Sequence, residues 1–183
     1  MKDYPYELDP YKEGYSFLGW TKTPDGDDFV TIVYEDMTVY AKWQDSLKLF
    51  EQGDCLGDFS VIYDAETDSY FYDINNPLPL SLTYEGNGIY SLTFTYKDYM
   101  NGWGSAAGTC AFKIRTGGDW NLPSYGVADT NNQPKLDGEE VPCADIEDNN
   151  IEVNNLVDGT SYKIIVRCEE DGDVFIKVET VTE

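Results

Sequence analysis

The chain contains no histidine, and that absence removes whole classes of chemistry. Ser-His-Asp and Cys-His catalysis need an imidazole, and so do zinc sites with histidine ligands. Basic residues are also scarce, at 12 against 35 acidic ones, which leaves a net charge of −23. Such a surface repels phosphate backbones and anionic lipid headgroups. We therefore expect neither a nucleic-acid partner nor a membrane-surface partner.

Long apolar runs are missing as well. No stretch approaches the roughly 18 consecutive apolar residues that span a membrane, so no membrane insertion is expected. Residues 1–5 lack the basic and apolar regions of a signal peptide. Two explanations fit: a cytoplasmic protein, or an excised fragment of an exported one.

Cysteine is present at four widely spaced positions, Cys55, Cys110, Cys143 and Cys168. None belongs to a CxxC motif, which argues against a structural metal site. The cysteines could pair as disulfides or remain free thiols, and the compartment stays open on this ground.

Apolar and polar residues alternate along most of the chain, a pattern typical of strands with one buried face. The clearest run is 90–96, and others lie at 59–63, 78–84, 110–114, 162–168 and 174–178. Asn87-Gly88 predicts a type I′ hairpin turn, and residues 170–173 predict a second tight turn. We expect an all-β fold, an antiparallel β-sandwich over residues 54–183. A short helix is predicted at 45–51, near the domain boundary.

The N-terminal segment has a different text, GYSFLGW at 14–20 and TVYAKW at 38–43. It resembles the later half of the Listeria–Bacteroides repeat, the internalin B-type repeat. The resemblance implies a partial β-grasp-like repeat over 1–43, with Trp20 and Trp43 as core aromatics, and a linker at 44–53. Because such repeats occur on secreted and surface proteins of bacteria, it favours an excised fragment of an extracellular protein.

Candidate ligand-binding residues cluster at 110–126, CAFKIRTGGDWNLPSYG. If the apolar residues of this strand face inward, Lys113 and Arg115 point outward. A Gly-Gly turn follows, and then come Trp120 and Tyr125. Flat aromatics beside long hydrogen-bond donors suit a sugar ring, which has an apolar C–H face and a hydroxyl rim. The alternative is a Trp120 that plugs one end of the sandwich.

Three stretches together are similar to the starch-binding modules of SusE- and SusF-type lipoproteins and of pullulanases: 82–96, 111–126 and 151–179. The resemblance implies that Trp120 and Tyr125 stack on α-glucan while Lys113 and Arg115 bond its hydroxyls. The bridge at 121–124 is longer than in that family, which puts the sugar specificity in doubt. Trp103, in a glycine-rich loop, could complete the stacking platform or anchor its loop on the sheet.

Acidic residues gather in turns, at 25–28, 145–148 and 169–173. They could bind calcium or shape their own turns, and turn roles are favoured because no EF-hand spacing is present. No cofactor and no metal are expected. We expect a non-catalytic, monomeric, carbohydrate-binding module of a larger multidomain protein. An adhesin-like or spacer domain is the alternative, and an enzyme acting through paired carboxylates comes third.

Overall fold

The structure is a computed structural model, and it describes residues 10–24, 26–33, 35–48, 50, 52–118, 120 and 123–182 of the 183-residue chain. The chain divides into two compact units, Met1–Leu47 and Lys48–Glu183. In the described residues all regular elements are β-strands, and all strand pairings are antiparallel. The predicted all-β, antiparallel class is confirmed. Among these residues no helix is long and apolar enough to cross a membrane.

The first unit contains one two-stranded sheet, formed by β1 (Tyr15–Thr21) and β2 (Tyr40–Asp45). Its register shifts between Phe17 and Gly19, where Gly19 has a φ of 139°. The ring of Phe17 meets Trp20 and Trp43 edge-on, with centroids 5.3 and 5.5 Å apart. The two tryptophans of the repeat-like text therefore share one aromatic cluster, but Trp20 is 36% exposed, so the expectation that it is a core aromatic is wrong.

The helix predicted at 45–51 is wrong for the described part of that range. Asp45 is the last residue of β2, and its carboxylate accepts the backbone N–H of Leu47 at 3.0 Å. This aspartate turn satisfies the backbone without a helix. Residues 49 and 51 lie outside the described residues.

Of the thirteen strands in the described part of the chain, eleven lie in the second unit. They are β3 (Gly53–Gly57), β4 (Ile62–Asp64), β5 (Ser69–Phe71), β6 (Leu80–Gly86), β7 (Ile89–Thr95), β8 (Thr109–Arg115), β9 (Ser124–Val127), β10 (Val141–Asp145), β11 (Ile151–Asn154), β12 (Ser161–Cys168) and β13 (Val174–Thr180). Each predicted strand segment except 59–63 corresponds to a long strand of its own. For 59–63, β4 covers only the end of the segment.

Eight strands of this unit close into a ring, in the order β8-β3-β6-β7-β12-β13-β10-β9, with β11 paired to β8 and β4-β5 forming a separate hairpin. Closure depends on β8, which pairs with β11 through residues 109–112 and with β9 through Ile114 and Arg115. Because one strand pairs with two successive partners along the same edge, the sheet is continuous around the ring. The sequence analysis expected two separate sheets.

The core lies inside the ring and is made of large apolar side chains from nearly every strand. Tyr90, Phe112, Ile164 and Ile176 are among its buried members. Strand β3 is buried along its whole length. A Cβ added at Gly57 would lie 2.2 Å from the carbonyl oxygen of Ala111, so only glycine allows β3 and β8 to approach this closely.

The predicted hairpin turn at Asn87-Gly88 is confirmed. Asn87 and Gly88 have φ values of 52° and 75°, and the backbone of Gly86 pairs with Ile89. Positive φ at both central residues is the requirement of a type I′ turn, which joins β6 and β7 without splaying them.

All four cysteines are free thiols, and three of them are buried. Cys143 and Cys168 lie opposite Val174 from either side, so two strand spacings, or about 10 Å, separate them. That separation is too long for a disulfide. Burial raises the pKa of Cys143 to about 12 and that of Cys168 to about 11, so both thiols stay protonated at neutral pH.

Candidate functional site

Strand β8 is buried on both faces, which corrects one prediction. Lys113 and Arg115 point away from the core, but they are only 4% and 3% exposed. The expectation that they reach solvent is wrong because other segments cover the outer face of β8. The ammonium group of Lys113 donates to the carbonyl oxygen of Ile146, in the connection between β10 and β11.

Arg115 is held by a carboxylate on the neighbouring strand. Asp54 on β3 lies directly opposite Arg115 in the register. The guanidinium group donates from Nε to Oδ1 at 2.7 Å and from Nη2 to Oδ2 at 2.9 Å. This two-bond geometry fixes the plane of the guanidinium as well as its position.

Trp120 lies over that guanidinium group. The Cζ atom of Arg115 is 5.2 Å from the centroid of the indole ring, within cation–π range. The side chain of Trp120 remains 50% exposed. The alternative in which Trp120 plugs the end of the fold is therefore wrong, since Arg115 supports the ring while half of it meets solvent.

A groove of about 350 Å³ lies beside Asp54, the partner of Arg115. Its walls come from β3, from β6 and from the turn after β8, and they are lined by Gln52, Gly53, Asp54, Ser81, Leu82, Gly117 and Gly118. Gly118 has a φ of 74°, and a Cβ there would lie 3.6 Å from Oδ2 of Asp54. The glycine pair leaves the groove open above the ion pair, and Gln52, Asp54 and Ser81 line it with hydrogen-bonding groups.

Tyr125 and Lys113 have structural partners of their own. Tyr125 is half-buried, packs against the core and pairs with Ile114 and Asp145 across its two neighbouring strands. Burial raises its pKa. Burial also lowers the pKa of Lys113, whose ammonium group is engaged by the Ile146 carbonyl. Among the predicted ligand-binding residues, Arg115 and Trp120 are the two that the structure brings together.

Trp103 lies at the end of β3 and β8 that is opposite to Arg115 and Trp120. Its backbone N–H donates to Oδ1 of Asp58 at 2.8 Å, while Oδ2 of Asp58 accepts the N–H of Ala111. Ala111 is four residues from Arg115, which is about 13 Å along a strand. The ring of Trp103 meets Tyr72 edge-on at 6.4 Å. The predicted joint platform of Trp103 and Trp120 is not formed.

Comparison with known proteins adds no assignment. No family model, no curated protein and no solved structure matches the chain. The geometry of the site therefore carries the functional argument.

Asp54 and Gln52 were not identified from the sequence, and neither were three exposed tyrosines, Tyr63, Tyr70 and Tyr99. Asp54 lies in GDCLG, a strand buried on both faces, which has no alternation to mark it. A carboxylate inside an otherwise apolar stretch was the one available signal, since charged residues are rarely buried without a partner.

The acidic turn at 169–173 brings the carboxylates of Glu169, Asp171 and Asp173 within 4.8 Å of one another. Glu169 pairs with Arg167, and Asp171 accepts the N–H of Asp173 at 3.2 Å. These contacts agree with the turn role expected for this cluster.

Proposed function

We propose that the chain is a non-catalytic carbohydrate-binding module that binds α-glucan, such as starch or maltooligosaccharides. One observation carries the proposal: Trp120 is half-exposed and lies over the buried Arg115, whose partner Asp54 lines a groove that also contains Gln52 and Ser81. The resemblance of residues 82–96, 111–126 and 151–179 to starch-binding modules supports the choice of α-glucan.

The proposed contact is a pyranose ring stacked on the free part of the indole. The ring's C–H face suits a flat aromatic, and its hydroxyls can bond Gln52 and Ser81 in the groove. A net charge of −23 favours a neutral polymer over an anionic one. Because few groups are buried, we expect a dissociation constant of about 10 μM to 1 mM.

The proposal extends to architecture and setting. We propose that the eight-stranded ring is flattened into an immunoglobulin-like sandwich, with large core side chains filling the space between its halves. The repeat-like text at 14–43 supports a place on a bacterial surface or secreted protein, where several modules would supply avidity.

The test is native affinity electrophoresis in gels containing amylopectin, with soluble β-glucan gels as the comparison. We expect amylopectin to retard the wild-type protein. For Trp120→Ala, the dissociation constant for amylopectin should be at least tenfold higher. Phe71→Ala removes another exposed aromatic side chain, on β5, and serves as the matched control. Retardation of the wild type by neither polymer would overturn the proposal in favour of an adhesin or spacer domain.

A further inference from the structure

Three exposed tyrosines form a second aromatic surface, here named the tyrosine ledge: Tyr63 on β4, Tyr70 on β5 and Tyr99 in the loop after β7. Tyr63 and Tyr70 lie opposite each other in the hairpin, so their side chains share one face. The rings of Tyr70 and Tyr99 are stacked, with centroids 3.7 Å apart and planes at 4°. Tyr63 is 5.2 Å from Tyr70. The three rings form one contiguous cluster.

The loop that carries Tyr99 is held by hydrogen bonds on both sides of that residue. Asp58 is fully buried and fixes the 101–104 loop through the N–H of Trp103. The backbone N–H of Gly102 donates to the carbonyl oxygen of Asp58 at 3.1 Å. On the other side of Tyr99, the N–H of Asp98 donates to Asp158 at 3.2 Å. The backbone on both sides of Tyr99 is thus fixed, which lowers the entropy cost of binding at this ring.

The size of the ledge favours a small ligand over a folded protein. Tyr63, Tyr70 and Tyr99 are 50%, 40% and 39% exposed. At 150–250 Å² for each side chain, they present roughly 250 Å² in all. A stable protein interface needs about 800 Å² on each partner. A few sugar rings match the smaller area.

The chemistry around the rings favours hydroxyl groups. Residues 58–79 contain five acidic residues and no Lys or Arg. The Tyr63 hydroxyl donates to Asp68 at 2.7 Å, and the Thr67 hydroxyl donates to Asp64 at 2.7 Å. Carboxylates next to the ledge already accept neutral hydroxyls, which is the bond that a sugar would make. An anionic ligand would be repelled.

We propose that the tyrosine ledge is a second carbohydrate-binding surface of this module, for a neutral glycan. The inference rests on the proposed function and adds to it, because the ledge lies at the Asp58 end of β3 and the Trp120 groove lies at the Asp54 end. One module then contacts a polysaccharide at two separate places, and each contact raises the effective concentration for the other.

The first experiment counts sites with a probe too short to bridge them. Maltotriose is titrated into ¹⁵N-labelled protein, and amide shifts are followed by NMR. We expect two groups of shifting amides, at 117–118 and at 98–102, and Trp120→Ala should lose only the first group. Shifts confined to 117–118 would overturn the second surface while leaving the proposed function intact.

The second experiment measures amylopectin affinity in gels for Tyr70→Ala, Tyr99→Ala and each combined with Trp120→Ala. Each tyrosine variant should weaken binding about threefold to tenfold, and the combined variants should show none. Phe71→Ala, which removes a 45% exposed ring from the other face of the same hairpin, should bind as wild type. Thermal unfolding checks that each variant is folded.

The outcomes separate the two proposals. Binding lost in Trp120→Ala alone and unchanged in both tyrosine variants would overturn the ledge. Binding that survives Trp120→Ala and disappears in the tyrosine variants would support the ledge and remove the groove. A wild type that binds neither maltotriose nor amylopectin would overturn both.

Discussion

The two ends of β3 use a buried aspartate in different ways. At one end Asp54 binds the guanidinium group of Arg115, and that group supports Trp120. At the other end Asp58 binds two backbone amides, those of Trp103 and Ala111. Both aspartates hold an aromatic loop against β8, but one acts through a charged side chain and the other through the main chain.

Because Asp54 binds a cation and Asp58 binds neutral amides, removing each carboxylate leaves a different kind of group without its partner. Without Asp54, a cation stays buried with no partner, which is among the costliest defects in a protein interior. Without Asp58, two neutral amide donors lose their acceptor, a smaller but real cost.

The largest effect is expected for Asp54→Asn. The variant leaves the 3% exposed Arg115 without a counter-charge, so the free energy of unfolding should fall by about 3–5 kcal/mol. Urea unfolding followed by tryptophan fluorescence measures it, with the exposed Asp148→Asn as control. Combining Asp54→Leu with Arg115→Met should recover most of the stability, because no unpaired charge remains. A loss under 1 kcal/mol in Asp54→Asn would contradict the pairing.

A smaller loss, about 1–3 kcal/mol, is expected for Asp58→Asn. The amide retains one oxygen acceptor, but its NH₂ group then faces a backbone donor. Hydrogen exchange should accelerate at the amides of Trp103 and Ala111 and stay unchanged at Arg115. If Asp58→Asn destabilises the protein as much as Asp54→Asn, the distinction between the two ends is wrong.

The third prediction concerns Glu140, a carboxylate that is partly exposed to solvent. Glu140 accepts bonds from Arg167 at 2.7–3.0 Å, and this bonding lowers the pKa of Glu140 from its usual 4.5. The ionised carboxylate therefore stabilises the fold above pH 4.5, and that contribution is lost as the pH falls through the lowered value. Glu140→Gln should cost about 0.5–1 kcal/mol at neutral pH. The difference in thermal stability between the two proteins should shrink as the pH falls below 4.5, whereas a gap that widens with acid would contradict the assignment.

The smallest effect on stability is expected for Trp120→Ala. Half of its side chain is in solvent and its contact with Arg115 is worth about 0.5 kcal/mol at an exposed site, so the free energy of unfolding should fall by about that amount. Differential scanning calorimetry measures the change. A loss of several kcal/mol would mean that Trp120 is structural, and its binding phenotype could then not be attributed to ligand contact.

The long hairpins were predictable because their signals are local. In β6–β7 and β12–β13, alternation of period two gives the buried face, and Asn87-Gly88 gives the turn. The short strands β9, β10 and β11 contain only four or five residues each, too few to distinguish from a loop by their pattern, and β10 contains Pro142. Strand β3 has no alternation because both of its faces are buried.

The candidate site was predictable in its residue types and not in its arrangement. Exposure of Trp120 and its proximity to Arg115 agree with the expected aromatic and basic pairing. The separation of Trp103 from Trp120 was not visible, because it depends on which end of β8 each loop returns to. The tyrosine ledge was missed because Tyr70 and Tyr99 are distant in sequence and meet only through the fold.

The sequence by itself determined the β class, the main hairpins and which residues of β8 share a face, since these follow from local alternation and turn chemistry. Tertiary structure decided whether the second face is open to solvent. Lys113 and Arg115 are buried because Ile146 and Asp54, distant in sequence, cover or pair with them. Alternation reports which way a side chain points, and only the packing of remote segments decides what it meets there.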